Sequence, residues 1–186
     1  MRRGLLVVLL SLALITMGLS ACSSKGTTVE VKAPEVSFTS AYAIVGNTSV
    51  VPIQTQFNVT NPSNVWVKLD SLEFSLKIDD LNVGNLQIPC NYGIAAGDEV
   101  SVSGVVLASF SGLVQSAMFG QGLSQGNATM KVLPYWKKLG GTIPSATLQP
   151  LWDTIDAKAT WTASGTAYIE GDGQRLSTNF SQTLAK

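Results

Sequence analysis

Cys22 and Cys90 are the two thiols of this 186-residue chain, and no histidine is present to activate either. That absence removes Ser-His-Asp and Cys-His catalysis and most zinc sites. A cysteine attacks as its thiolate, which needs an electropositive setting. No Lys or Arg lies near Cys90 in IPCNYG, so Cys90 reads as a small apolar residue at a strand end. The carboxylates offer little more. Asp79-Asp80 and Glu170-Gly171-Asp172-Gly173 occupy turn sequences and read as solvated turns. A calcium site needs more oxygen ligands than either supplies, and nothing pairs two carboxylates for glycoside hydrolysis. No Gly-rich phosphate loop follows a strand. The reading is a chain with no catalytic residue, no metal and no cofactor.

Cys22 has a different chemistry available. MRRG is a short basic start, and Leu5 to Leu19 is an apolar run of about 15 residues, the size of a signal-peptide core. LSAC, Leu19 to Cys22, follows it and resembles a bacterial lipobox, in which the cysteine is acylated and becomes the new N-terminus. The rival is an uncleaved membrane helix, for which the run is short, since a span wants about 20 apolar residues. Both readings tie the remaining chain to a membrane on its extracytoplasmic side. Acyl chains on Cys22 would anchor stably, because each buried CH₂ adds about 0.8 kcal/mol. The expected organisation is a signal peptide over 1–21, a flexible lipid-anchored tether over 22–34 and one domain over 35–186.

Charge is balanced, with 12 basic and 12 acidic residues. Removing Arg2 and Arg3 with the leader leaves a slight acidic excess, which argues against a nucleic-acid partner. With Cys22 lipidated, Cys90 has no partner within the chain, so a disulfide framework is excluded.

The domain must then be held by its elements. Val51, Ile53, Phe57 and Val59 alternate with Gln54, Gln56 and Asn58, the period-2 pattern of a half-buried strand. Asn61-Pro62 stops that strand, because proline gives no N–H to a ladder. Val65, Val67 and Leu69 then share one parity, and Leu72, Phe74, Leu76 and Ile78 the other. One extra residue at Asp70-Ser71, a bulge or bend, would keep both sets on one face. Such a bend also lets a strand pass between two sheets. The period changes at Phe110, Leu113, Val114, Ala117 and Met118, which predicts a helix from about Gly112 to Leu123 capped by Ser109. Alternation returns at Ala159 to Ile169 and at Leu176 to Leu184, joined by the Glu170–Gln174 turn. The sum is an all-β sandwich of about seven strands with one inserted α-helix.

FNVTNPSNVWVKLDSLEFSLKIDDLNVGN resembles the late embryogenesis abundant group 2 proteins, also described as the water stress and hypersensitive response (WHy) domain. The likeness rests on Asn61-Pro62, then Leu69-Asp70-Ser71-Leu72, then Gly84 in the next strand and Gly165 in a closing one. It implies a fibronectin type III-like sandwich, and it marks these residues as fold-building, not catalytic. One departure is the stretch 127–156, where the family has a short connection; it reads as a long loop carrying Tyr135, Trp136 and Trp152.

The resemblance implies a non-enzymatic, lipid-anchored domain that protects stressed client proteins or membrane during drying. The alternative is an adaptor whose aromatic loop, Tyr135, Trp136 and Trp152, meets an envelope protein, lipid or glycan. An enzyme is the third class.

Overall fold

The computed structural model describes residues 28–44 and 49–184. Seven strands form two antiparallel sheets among the described residues. They are β1 (Glu35–Ala43), β2 (Val50–Thr60), β3 (Val67–Ile78), β4 (Leu81–Ile94), β5 (Glu99–Ser109), β6 (Trp161–Gly171) and β7 (Gln174–Leu184). One sheet has the order β1-β2-β5 and the other β4-β3-β6-β7. In an immunoglobulin constant domain the fourth strand pairs with the fifth. Here it pairs with the third, which gives three strands facing four. The fold is the all-β sandwich that the alternation predicts.

The inner faces carry the core. Phe57 lies at its centre, with ring centroids 5.1 Å from Phe38, 4.7 Å from Phe74 and 5.7 Å from Phe180. Thr55 is fully buried among them, and its hydroxyl donates to the Gly104 carbonyl at 3.0 Å, so no polar group is stranded. The open seam between the sheets is closed by one side chain of β7. The Gln182 amide donates to the Val36 carbonyl and accepts from the Phe38 N–H, occupying the edge of β1 that would otherwise offer itself to another strand.

The parity switch in β3 is resolved as anticipated. Against β6, two steps from Leu69 to Ser71 match one step from Ile169 to Tyr168, so Asp70 is the extra residue. Against β4 the same two steps match three, Tyr92 to Pro89, and Asn91 there has a φ of 56°. Paired irregularities on both sides bend β3 without breaking it. It does not change sheets; both halves stay between β4 and β6.

Three further expectations change. The inserted helix runs Phe110–Gln121 (α1), capped by Ser109 and ended by Gly122 in the left-handed conformation. It is joined by two more in the stretch read as a loop: α2 (Gln125–Lys138) and the short α3 (Gln149–Thr154), with a 3-10 turn between them. Ala128, Val132 and Trp136 lie four apart on one buried stripe of α2, and that burial outweighs Pro134 inside the helix. Lastly, part of the tether is held. Asn64 accepts from the Glu30 N–H at 2.9 Å and donates to the Thr28 carbonyl at 2.7 Å, and Ser63 accepts from the Lys32 N–H at 2.9 Å. Pro34 is buried. Cys22, where lipidation is expected, and the expected signal peptide over 1–21 lie outside the described residues.

Candidate functional site

The residues singled out by the resemblance fall into the frame. Asn61 is fully buried and saturates its amide. Its Nδ2 donates to the carbonyls of Val65 at 2.8 Å, Ile94 at 3.1 Å and Ala95 at 3.1 Å, and its Oδ1 accepts from the Ser63 N–H at 2.9 Å. Its backbone N–H also donates to Asp98 O, and its carbonyl accepts from Gly97 N–H. One side chain thus ties the β2–β3 loop to the β4–β5 turn, and Pro62 prevents the strand from running through it. Leu69 and Leu72 are buried on either side of the bulge. Gly165 packs against β3 so closely that a Cβ would come within 1.9 Å of the Glu73 carbonyl, and a Cβ on Gly84 would meet Val106. These are packing roles.

The aromatic surface expected at Tyr135, Trp136 and Trp152 is not presented as one. Trp136 is 1% exposed; its Nε1 donates to the Thr142 carbonyl at 2.7 Å, and its ring meets Phe110 edge-on at 6.0 Å. It is the largest core side chain of the insertion, because α2 turns its buried stripe onto α1. Trp152 and Tyr135 are half-buried against the same core. Burial, then a hydrogen bond to Asp79 and the nearby Asp79 and Asp80 charges, push the Tyr135 phenol up to about 12.

The Asp79-Asp80 turn is likewise more than a solvated turn. Asp79 accepts from the Thr160 N–H at 2.9 Å, while Lys131 of α2 bonds both Asp80 and Gln121. That lysine holds the Asp80 carboxyl below its ordinary value. Lys137 donates to the carbonyls of Trp152 and Ile155 (2.9 Å to the latter), catching the C-terminal end of α3, where unpaired carbonyls collect. The group is a clasp holding the helices to the β3–β4 turn.

Cys90 is buried within β4, beside the bulge and not at a strand end. Burial pushes its thiol up to about 11, and the Asp70 charge adds to the rise. A thiol held there offers little thiolate, its nucleophilic form, at neutral pH.

One open surface of the molecule is the outer face of the four-stranded sheet. Its cross-strand pairs are Thr162 with Thr183, Ser164 with Ser181, Thr166 with Asn179 and Tyr168 with Ser177. Ser75 and Asn85 continue the row across β3 and β4. At the bulged end lies an open hollow of about 680 Å³, edged by Asp70, Glu73, Gln87, Tyr168 and Arg175. The bulge lets Asp70 reach across β6 to Arg175 at 2.9 Å, and the guanidinium passes 5.7 Å from the Tyr168 ring centre. Gln87 donates to Glu73 at 2.8 Å. The face offers many hydroxyls and amides, and its charges are of both signs, Lys77 and Arg175 against Asp70 and Glu73. Along the sequence these Ser and Thr residues only alternate with the apolar residues of β6 and β7. The signal that they form a surface is their cross-strand register, which alternation along one strand cannot give. Among the described residues no three metal-ligating side chains converge.

No protein-family model matches the chain, and no curated protein does. Solved structures of similar fold exist. A solution structure from Arabidopsis thaliana is 14% identical, covering 83% of this chain and 84% of its own, with a TM-score of 0.47. A candidate late embryogenesis abundant (LEA) protein is 12% identical over 96% of this chain and 84% of its own, at 0.41. A protein from Archaeoglobus fulgidus is 8% identical over 83% and 94%, at 0.43. At such scores none of these likenesses assigns a family or a function.

Proposed function

We propose that this is a non-enzymatic domain of the late embryogenesis abundant group 2 kind, held at a membrane on its extracytoplasmic side by acylated Cys22, that protects client proteins or lipid surfaces when water is withdrawn. The observation that carries the reading is the outer face of the four-stranded sheet. Its rows of Thr, Ser and Asn can substitute for the hydrogen bonds that a drying surface loses with its water. A buried polar group without a partner costs about 1–3 kcal/mol, so such substitution has a real driving force. Charges of both signs keep the face from selecting one sign of client.

The test is to dry a labile enzyme with the chain from Ser23 on, made without lipid, and to measure surviving activity against an equal mass of albumin. Protection well above albumin supports the reading. Protection at the albumin level rejects direct action by this domain. Thr166→Lys with Ser181→Lys, placed on the face and away from the core, should cut the protection; unchanged protection moves the activity elsewhere.

The adaptor reading keeps one observation in its favour, though not at the aromatics first expected. Phe110, Val114, Met118 and Phe119 line an apolar groove of about 450 Å³ beside α1, and Phe119 is 84% exposed. Phe119→Ser would leave drying protection intact while weakening an envelope partner's binding.

A further inference from the structure

The two ends of the sandwich are not equivalent with respect to the N-terminus. Thr28, Glu30 and Lys32 are hydrogen-bonded to Asn64 and Ser63, in the loop after β2. The chain therefore enters at the Asn61 end. Only Ser23 to Thr27 separate Cys22 from Thr28, a reach of roughly 20 Å even when fully extended. β3 alone, at 12 residues, is roughly 40 Å long. A membrane holding the N-terminal segment must lie close to the Asn61 end.

That end exposes two amphipathic rings of the kind that settle at headgroup level, Trp66 at 59% and Tyr92 at 47%, and beside them the apolar Val29 at 48%. Trp66 is also fixed in place. Its indole lies over Gly93, where a Cβ would come within 2.5 Å of the ring. One face rests on β4 and the other is open, so little rotamer freedom would be lost on contact. The charges there sort themselves. Glu30 pairs with Lys32, and Asp70 with Arg175 and Lys68. Asp98, Glu99, Glu170 and Asp172 stay exposed on the neighbouring turns, which disfavours an anionic surface.

We propose that the Asn61 end rests on a zwitterionic lipid surface through Trp66, Tyr92 and Val29, so that the helical insertion points away from the membrane. The inference rests on the membrane attachment in the reading above, but not on drying protection.

The test uses the full chain in phosphatidylcholine vesicles with brominated acyl chains, read by tryptophan emission. Trp161 pairs with Ile78 at the opposite end, and Trp136 and Trp152 belong to the insertion. Trp66→Phe should therefore remove more than half of the bromine quenching while the thermal unfolding curve is kept. Val29→Asp, which leaves every indole in place, should lower quenching at least twofold. Replacing a third of the lipid with phosphatidylglycerol should weaken it. A wild-type quenching equal to that of Trp66→Phe, with both proteins on vesicles, overturns the contact alone. A chain that fails to partition into vesicles overturns the attachment and the contact together.

Discussion

The Asn61 end and the insertion end of the sandwich are closed by opposite means. At the first, one buried amide binds three carbonyls and one N–H from separate segments. At the second, a buried indole fills space and two lysines gather oxygens around it. Hydrogen bonds to the backbone are directional, so the first solution fixes geometry with few atoms. Apolar burial has no direction, so the second needs three helices to define a shape. A hub of the first kind tolerates no isostere; a plug of the second kind tolerates only other large apolar side chains.

The contrast can be broken at the insertion first. Trp136→Ala should cost roughly 3–5 kcal/mol in urea unfolding, as expected for deleting a fully buried aromatic. Trp136→Phe should recover most of it, and a loss below about 1 kcal/mol would show that the insertion is not part of the cooperative core. At the other end, Asn61→Ala leaves backbone groups unsatisfied and should cost about 2–3 kcal/mol. Asn61→Asp sharpens the point. It keeps the acceptor for Ser63 but sets an oxygen against three carbonyls, so it should destabilise as much as alanine does. Equal stability of Asn61→Asp and wild type would refute the hub.

Smaller effects test the clasp. Lys137→Met frees the carbonyls at the end of α3 and should cost about 1 kcal/mol locally. The readout is faster amide exchange over 149–155 with the sheet amides unchanged. Asp80 has its pKa lowered in the fold by Lys131, so its contribution is present at neutral pH and is lost as pH falls below about 4 through the folded value. The pair is exposed, so the effect stays within the ~0–1 kcal/mol of surface ion pairs. It should appear as loosening of α2 in acid, which Lys131→Met produces at all pH values, leaving no pH dependence.

Much of the frame was readable before folding was considered. Period-2 alternation in β2, β3, β6 and β7 follows from one buried face per strand, and the parity change at Asp70-Ser71 admits few remedies. Ser109 caps α1 because a helix start needs an acceptor; the helix stops at Gln121, short of the expected Leu123, where Gly122 takes the left-handed conformation. The helix α2 was less visible. Pro134, Gly126 and Asn127 depress local propensity, and only the spacing of Ala128, Val132 and Trp136 speaks for it.

The candidate surfaces divide the same way. Trp136 stood as a contact residue only in the adaptor alternative, because its stretch read as a loop. The direction of a side chain there depends on which helix face meets the sheets, and no local pattern encodes that. The hydroxyl face of β6 and β7 was present in the letters, yet its existence as a surface needed the register between strands. What the sequence by itself determined was the strands and the first helix, since periodicity, caps and turn residues are local physics. What only the tertiary structure decided was which strands adjoin, which indole is buried, and at which end the N-terminal segment enters. Those depend on contacts between residues as far apart as Val36 and Gln182.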